Sequence, residues 1–577
     1  MPLENHEGAF YKTLSLQILP ATTAGFRPDY FSADYFLNRK LVIAVLAIFI
    51  IAGFGLRVGN LGTESLSEDE LNKLQTVAEY RTNGISGRNG EHPFLMKGLQ
   101  TISITVAEKI NNQFFFAAPD RRISEEAALR FPTALFGSVM VLLLFLFVNE
   151  LFGSSIALIA AALWAVDPNA VGFDRIAKED SFLLFFFLLA NIFWIRGQTK
   201  AELGEDNIAK YIVLTAISLG AMLASKYLLH PLFIGLAYFT VIRTIPSSRW
   251  CIDKNRWYLF YILIGVGFIV FNPTILLPET WREMFKFSSE QRIGHDAYEF
   301  AGNLYRNKMT LWFAGVPWTF YYVFILCKTP LLTLFFCLCG LPLLFTRKLG
   351  DGRIFLFVWI GFWFMPFTVL GGKFTRYFTL AEPLVLILAA IGCFVISKWL
   401  ADKFFPQNFT IRNCLKWFLP ALMILLSFMS SLLVAPHFRL YINQIGGQER
   451  AGFYFPHDEF YDTSTREAAA EIASRARQGV TVAVETPYLY QHYLRKAGRE
   501  DLNVISLSDK SRVTSLAAGD FVLAAKGRRY FSNEAYLNYL ENNLQTDAEI
   551  KINGITSVKI YRLDESAAEQ IRNAAKN

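Results

Sequence analysis

The sequence predicts a polytopic α-helical membrane protein that ends in an extracytoplasmic α/β domain. Three observations predict it. The 577 residues are 53% hydrophobic and only 18% charged, where a soluble chain carries about a quarter. Charge-free runs of about 16–21 residues recur, such as 41–56, 257–277, 354–370 and 417–435, and are long enough to cross a bilayer or nearly so. From residue 436 onward such runs stop, and short strand-like and helix-like segments alternate instead.

Residues 1–40 are polar, and no small-residue cleavage site follows the first apolar run, so that run reads as a signal anchor. The apolar runs give eleven expected spans: 41–56, 131–148, 151–166, 181–195, 211–225, 227–242, 257–277, 329–346, 354–370, 378–397 and 417–435. Basic residues gather at 39–40, 196–210, 243–256, 347–353 and 398–416. These fall on one side if the N-terminus is cytoplasmic. The domains expected are a cytoplasmic segment 1–40, a transmembrane region 41–435 with outer loops 57–130 and 278–328, and an outer domain 436–577. The net charge of +7 follows this topology and gives no signal of nucleic-acid binding. The six cysteines lie in or beside apolar runs and show neither metal-ligand spacing nor a disulfide framework.

The first outer loop holds two helical stripes, Leu71/Leu74/Val77/Ala78 and Phe94/Leu95/Leu99/Ile102/Val106. They suit helices lying in the membrane interface, or a small extra-membrane core. In the tail, helices are expected at 465–478, 488–496, 510–517 and 533–542, and strands at 480–484, 504–507, 521–525, 548–553 and 557–562. Ser464 and Glu467 have capping-box spacing. This alternation predicts a small parallel or mixed sheet. Val484-Glu485-Thr486-Pro487 after its first strand is not a Gly-rich phosphate loop, so no nucleotide site is expected.

Several polar groups stand out against this background. Glu68-Asp69-Glu70 follows Ser67, which makes a capping box with Glu70. Crowded carboxylates also compete for ionisation, so one of them is a candidate general base with a raised pKa. His92-Pro93 with Lys97 reads as a turn and a snorkelling cation, or as part of the same site. Arg175 and Lys178 share a helical face, Lys226 follows Ser225, and Lys373 and Arg376 flank the Gly371-Gly372 edge beside Tyr377. All are cations on the outer side, where few are expected, and they are candidates for holding a phosphate. For Arg175 and Lys178 a salt bridge with Asp174 or Glu179 is the alternative, and Asp180 is a further active-site candidate. His295 with Asp296, and His457 with Asp458, are further active-site candidates or plain loop polarity.

Together these residues resemble a known group. Asp69-Glu70 followed by His92-Pro93-x-Leu95-x-Lys97 resembles a pattern of protein O-mannosyltransferases, members of the GT-C superfamily. Arg130-Phe131-Pro132, Arg175 with Asp180, and Phe185-Phe186 are similar to its continuation. In architecture the chain also resembles the lipid A aminoarabinose transferases, and 455–462 looks like the start of the tail in bacterial members. Phe94 and Met96 depart from the pattern, and no β-trefoil module is expected.

The resemblance, which covers 41–435, implies an inverting glycosyltransferase of GT-C type in a bacterial cytoplasmic membrane. It implies a polyprenyl-phosphate sugar as donor and a protein, lipid A or glycan acceptor. Asp69 would be the catalytic carboxylate with Glu70 beside it, and Arg175, Lys178, Lys226, Lys373 and Arg376 the candidates near the lipid phosphate. No cofactor is required; a divalent ion is compatible, and no metal ligands are assigned. The alternative is a transporter or flippase of a polyprenyl-linked intermediate, which should show internal repeats or broken polar helices.

Overall fold

The computed structural model describes residues 39–116, 118, 121–202, 209–237, 254–289, 297–350 and 352–576. Among the described residues, six helices are long and apolar enough to cross a membrane: Lys40–Val58, Glu125–Phe152, Asp180–Ala201, Gly352–Val369, Glu382–Phe404 and Phe409–Val434. A seventh crossing results if Ser154–Val166 and Pro168–Asp174, bent by 60° at their junction, form one span. Asp167 explains the bend. Its Oδ1 accepts from the N–H groups of Asn169 and Ala170, and Pro168 brings no N–H to continue the first helix.

Several of the eleven expected spans correspond to shorter helices among the described residues. The runs at 211–225, 257–277 and 329–346 fold as the shorter apolar helices Ala209–Leu223, Arg256–Phe271 and Leu331–Leu343. The run at 227–242 holds helix His230–Ala237, and its last residues lie outside the described residues.

Helix Ser154–Val166 is buried from Ser155 onward and lies at the centre of the bundle. Helices Leu331–Leu343 and Glu382–Phe404 cross in very close contact. A Cβ on Gly340 would sit 2.0 Å from the Leu388 carbonyl oxygen, and one on Gly392 would sit 2.1 Å from that of Phe336. Small residues at such crossings let backbones touch inside a bilayer. At the rim, Lys40–Val58 and Phe409–Val434 leave Ile51 72% and Leu433 78% exposed, as lipid-facing helices do.

At one end of the bundle, the first loop, the segment from 297 and the tail form one assembly. Helix Glu68–Asn83 opens on a complete capping box: Glu70 N donates to Ser67 Oγ at 3.3 Å, and Ser67 N donates to Glu70 Oε2 at 2.9 Å. The second loop helix, Phe94–Phe114, buries Met96, Lys97, Gln100, Ile104 and Ala107. Of the stripe read from the sequence, Phe94, Leu95 and Leu99 are half-buried, and Ile102 and Val106 are exposed.

The tail carries strands β3 (Thr481–Val484), β4 (Asn503–Ser506), β5 (Phe521–Ala525), β6 (Ala548–Ile552) and β7 (Ile555–Arg562) in the order β4-β3-β5-β7-β6. β3 pairs parallel with β4 and β5, while β7 pairs antiparallel with β5 and β6, so the sheet is mixed. A preceding hairpin pairs β1 (Ala297–Phe300) with β2 (Asn303–Arg306). The capping box expected at Ser464 does not form. Ser464 Oγ donates to Ser557 Oγ at 2.6 Å, and Glu467 Oε2 lies 3.2 Å from Ser65 Oγ, so tertiary partners took both groups. Helix Glu565–Lys576 closes the chain and was not expected.

Alternation along the strands splits the sheet's faces. Val482, Val484, Val504 and Leu523 meet Leu66, Leu71, Val77, Ile104 and Leu129 of the first loop in one hydrophobic core. Ala483, Ile505 and Val522 face the tail's own helices.

Candidate active site

Asp69 is the second residue of helix Glu68–Asn83, and its neighbour Glu70 fixes the helix in place. Arg130 Nε and NH2 donate to the two Glu70 oxygens at 2.8 and 2.7 Å, and Ala177 N donates to Oε1 at 2.9 Å. Glu70 and Arg130 are both fully enclosed. Burial pushes the Glu70 carboxyl up, but the Arg130 guanidinium outweighs it and the carboxyl stays below its ordinary value. Glu70 is thus committed to a structural pair.

Asp69 is different: 38% of its side chain is open. Lys178 Nζ donates to Asp69 Oδ2, and Tyr461 Oη donates to the same oxygen at 2.9 Å. Among the described residues no hydrogen bond reaches Oδ1. Burial raises the Asp69 pKa, but Lys178, Arg376 and Lys73 overcome it and hold the carboxyl well below its usual range. The expectation of a raised carboxyl is met by Glu68 instead, where burial and the charges of Asp462 and Asp69 outweigh Arg528.

A second ring supports the first. Glu179 Oε1 lies 3.1 Å from Lys73 Nζ and 3.2 Å from His92 Nδ1. Burial pushes His92 down to about 3 despite Glu179, so the imidazole is neutral at pH 7. Burial likewise lowers Lys178 to about 8.

Arg376 completes the cationic side. Its guanidinium lies 3.8 Å from Asp458 Oδ1 and stacks near Phe374, Tyr377 and Tyr461, at 4.2, 5.6 and 6.0 Å from the ring centroids. Asp458 Oδ2 accepts from Tyr298 Oη at 2.5 Å and Thr375 N at 2.9 Å, which sets the Arg376 loop. Lys226 donates to Asp180 Oδ1 at 2.6 Å and lies 4.7 Å from the Tyr377 ring centroid. A small cavity lined by Phe173, Ile176, Thr375, Arg376, Arg439 and Tyr461 lies behind this cluster.

Other sequence candidates are placed elsewhere. Arg175 donates to the carbonyls of Leu56, Arg57, Gly59 and Asn60 at 2.7–3.0 Å, closing the end of the first span. Lys373 donates to the carbonyls of Leu370 and Thr368 at the end of Gly352–Val369. Both cations satisfy helix-end carbonyls in this arrangement. Lys97 does not snorkel; it is buried and donates to the carbonyls of Asn89 and Arg88 at 2.7 and 3.3 Å. His457 packs between Tyr298, Phe374 and Tyr461, with Nδ1 3.1 Å from the Gly527 carbonyl. His295 and Asp296 lie outside the described residues. Among the described residues, no three His, Cys, Asp or Glu side chains are grouped to hold a metal.

Sequence reasoning missed Tyr461, Lys73 and Arg439, and offered Glu179 as a salt-bridge partner of Arg175 or Lys178 where it pairs with Lys73. The one available signal was that Tyr461 lies in the 455–462 stretch. Arg439 bridges Glu64 Oε2 at 2.5 Å and the Asp458 carbonyl at 3.3 Å.

Comparison with solved structures places this arrangement. The oligosaccharyltransferase of Archaeoglobus fulgidus, tethered to an acceptor peptide with an NVT sequon, superposes with a TM-score of 0.51 at 12% identity, over 85% of this chain and 70% of that one. The chain has the GT-C fold. Residues 122–277 also match the family model of dolichyl-phosphate-mannose-protein mannosyltransferases. ArnT from Cupriavidus metallidurans, bound to undecaprenyl phosphate, is similar over 90% of this chain and 98% of its own, at 14% identity and a TM-score of 0.47. The Saccharomyces cerevisiae Pmt1–Pmt2 complex bound to its sugar donor is similar over 45% of this chain and 34% of that one, at 20% identity and a TM-score of 0.28. No curated protein matches.

Proposed function

We propose that this protein transfers a sugar, with inversion, from a polyprenyl-phosphate donor to a hydroxyl or phosphate acceptor at the membrane face that carries the tail. The observation that carries the proposal is the meeting of the part-open Asp69 with Lys178 and Arg376. The match of residues 122–277 to a family named for a dolichyl-phosphate sugar donor supports the same donor class.

In this reading the donor phosphate lies against Lys178 and Arg376, with Lys226 on the same side. For a hydroxyl acceptor, Asp69 takes the hydroxyl proton as that oxygen attacks the anomeric carbon, and the bond from carbon to phosphate oxygen breaks. The departing lipid phosphate gains charge, so cations beside it favour the transition state over the ground state. Asp69 is a weak base while Lys178 and Arg376 serve it alone. A bound phosphate shares those cations and raises Asp69 towards its ordinary basicity. The fold also fits an outer-face enzyme, with the N-terminus cytoplasmic and the tail in the periplasm or outside the cell.

The test is purified protein in nanodiscs, supplied with labelled undecaprenyl-phosphate sugars (mannose, glucose, aminoarabinose) and an envelope extract as acceptor. Wild type should transfer one of them, and the product anomer, read by NMR, should be opposite to that of the donor. Asp69→Asn should lose about 100-fold or more in turnover, the scale of general base catalysis. Undiminished transfer by Asp69→Asn removes Asp69 as the base.

A further inference from the structure

We propose that Tyr461 is a positioning residue, whose hydroxyl fixes Asp69 through Oδ2 so that Oδ1 alone faces the acceptor. This rests on the transfer reaction proposed above, and it assigns to the tail a direct part in the catalytic carboxylate.

The placement of Tyr461 is built. It reaches Asp69 across 392 positions of sequence. Tyr461 and Asp462 have φ of 45° and 62°, two consecutive non-glycine residues in the left-handed region. Such backbone persists only where the surroundings over-determine it, and it gathers at functional sites. Here the surroundings do so. Tyr461 N donates to the His457 carbonyl at 3.0 Å, closing the short helix Pro456–Phe460. Asp462 is gripped by Arg528, whose Nε donates to Oδ1 at 2.8 Å and whose NH2 donates to Oδ2. Glu68 N donates to Asp462 Oδ2 at 3.2 Å, tying the corner to the helix that presents Asp69.

The ring is equally fixed. Tyr461 is 6% exposed, with the Arg439 guanidinium 5.3 Å and that of Arg376 6.0 Å from its centroid. Its hydroxyl donates to Asp69 Oδ2 and also lies within hydrogen-bond reach of the Ser67 side chain. Lys178 and Tyr461 both occupy Oδ2, which leaves a defined oxygen for proton transfer. The charged and titratable groups around Asp69 are Lys178 and His92 from the loops, Arg376 from the 375–380 turn, and Lys73, Glu68 and Glu70 from its own helix.

Losing a donor from a carboxylate destabilises its charged form, so the Asp69 titration should move up in pH when Tyr461 loses its hydroxyl. Tyr461→Phe keeps the ring and removes Oη. In infrared titration, each protein is compared with its own Asp69→Asn counterpart, which isolates the Asp69 carboxylate. Tyr461→Phe should titrate at higher pH than wild type. Incorporation of 3,5-difluorotyrosine at 461, a stronger donor of nearly the same shape, should move the titration down, and it serves if Tyr461→Phe does not fold. With the sugar selected in the transfer assay, Tyr461→Phe should lower kcat about tenfold and leave donor KM within about twofold, as expected for an interaction realised in the transition state. An Asp69 titration unmoved by both replacements overturns the inference. Normal transfer by Asp69→Asn would overturn the base assignment instead, and the infrared result would still report whether Tyr461 holds Asp69.

Discussion

Among the three neighbouring acids the structure makes a division of labour that spacing alone left open. Glu70 is locked to Arg130, Glu68 leans on Arg528, and Asp69 meets Lys178 and Tyr461 at one oxygen. Truncating Arg130 would leave Glu70 buried and unpaired. Arg130→Met should cost about 3–5 kcal/mol, seen as a lower melting temperature in detergent. Lys178 gives a pH prediction. Burial lowers its pKa to about 8, so its charge is present below that pH and lost above it. In the free enzyme, kcat/KM for the donor should fall as pH rises through about 8, by about tenfold for each further unit. Lys178→Arg should abolish that limb, because a guanidinium keeps its proton. Asp69 was legible because acids at an outer loop beside outward cations are unusual. Tyr461 was not, because nothing near it in sequence foretells a partner in the first loop.

At the level of elements, the sequence located the long apolar helices and the five tail strands but not the β1–β2 hairpin or helices such as Pro278–Ser289 and Glu565–Lys576. Arg175 and Lys373 look like phosphate ligands when only side chains are counted. The carbonyls at a helix end attract the same charge, and they carry no sequence signature. Arg175→Met and Lys373→Met should each lower the melting temperature while leaving the affinity for undecaprenyl phosphate within about twofold, measured by tryptophan quenching. Lys178→Met should do the reverse. Spans are a second case, because an apolar run does not state the length of the helix it forms. Helix Leu331–Leu343 has 13 residues and leaves Leu331, Phe335, Leu338 and Leu341 exposed while Leu334, Phe336, Cys337 and Gly340 pack tightly inward. Gly340 and Gly392 show how tight. Gly340→Val should disrupt that crossing, with a loss of well-dispersed protein on size-exclusion chromatography.

For the whole molecule, the tail read correctly as a small α/β sheet, yet its relation to the rest was invisible in the sequence. Val482, Val484, Leu523 and Ile560 have the alternation of any half-buried strand, and the pattern does not name the partner face. That face is the first loop: Leu66, Leu71, Val77 and Leu129 pack against the sheet. A chain ending at 435 should therefore expose these residues and lose Tyr461 from Asp69. It should aggregate or be degraded, visible as a void-volume peak by fluorescence-detected chromatography, with no transfer activity.

The shared core also sets a timetable for manufacture. Leu66 to Leu129 emerge early, whereas Val558 and Ile560, which cover the same core, belong to the penultimate element made. At about 5–20 residues per second, the loop waits roughly 20–90 s for its last strand. During that interval the exposed apolar faces need a membrane surface or a chaperone to shelter them. Catalytic competence then arrives late and all at once, as a consequence of the order in which the ribosome delivers the parts.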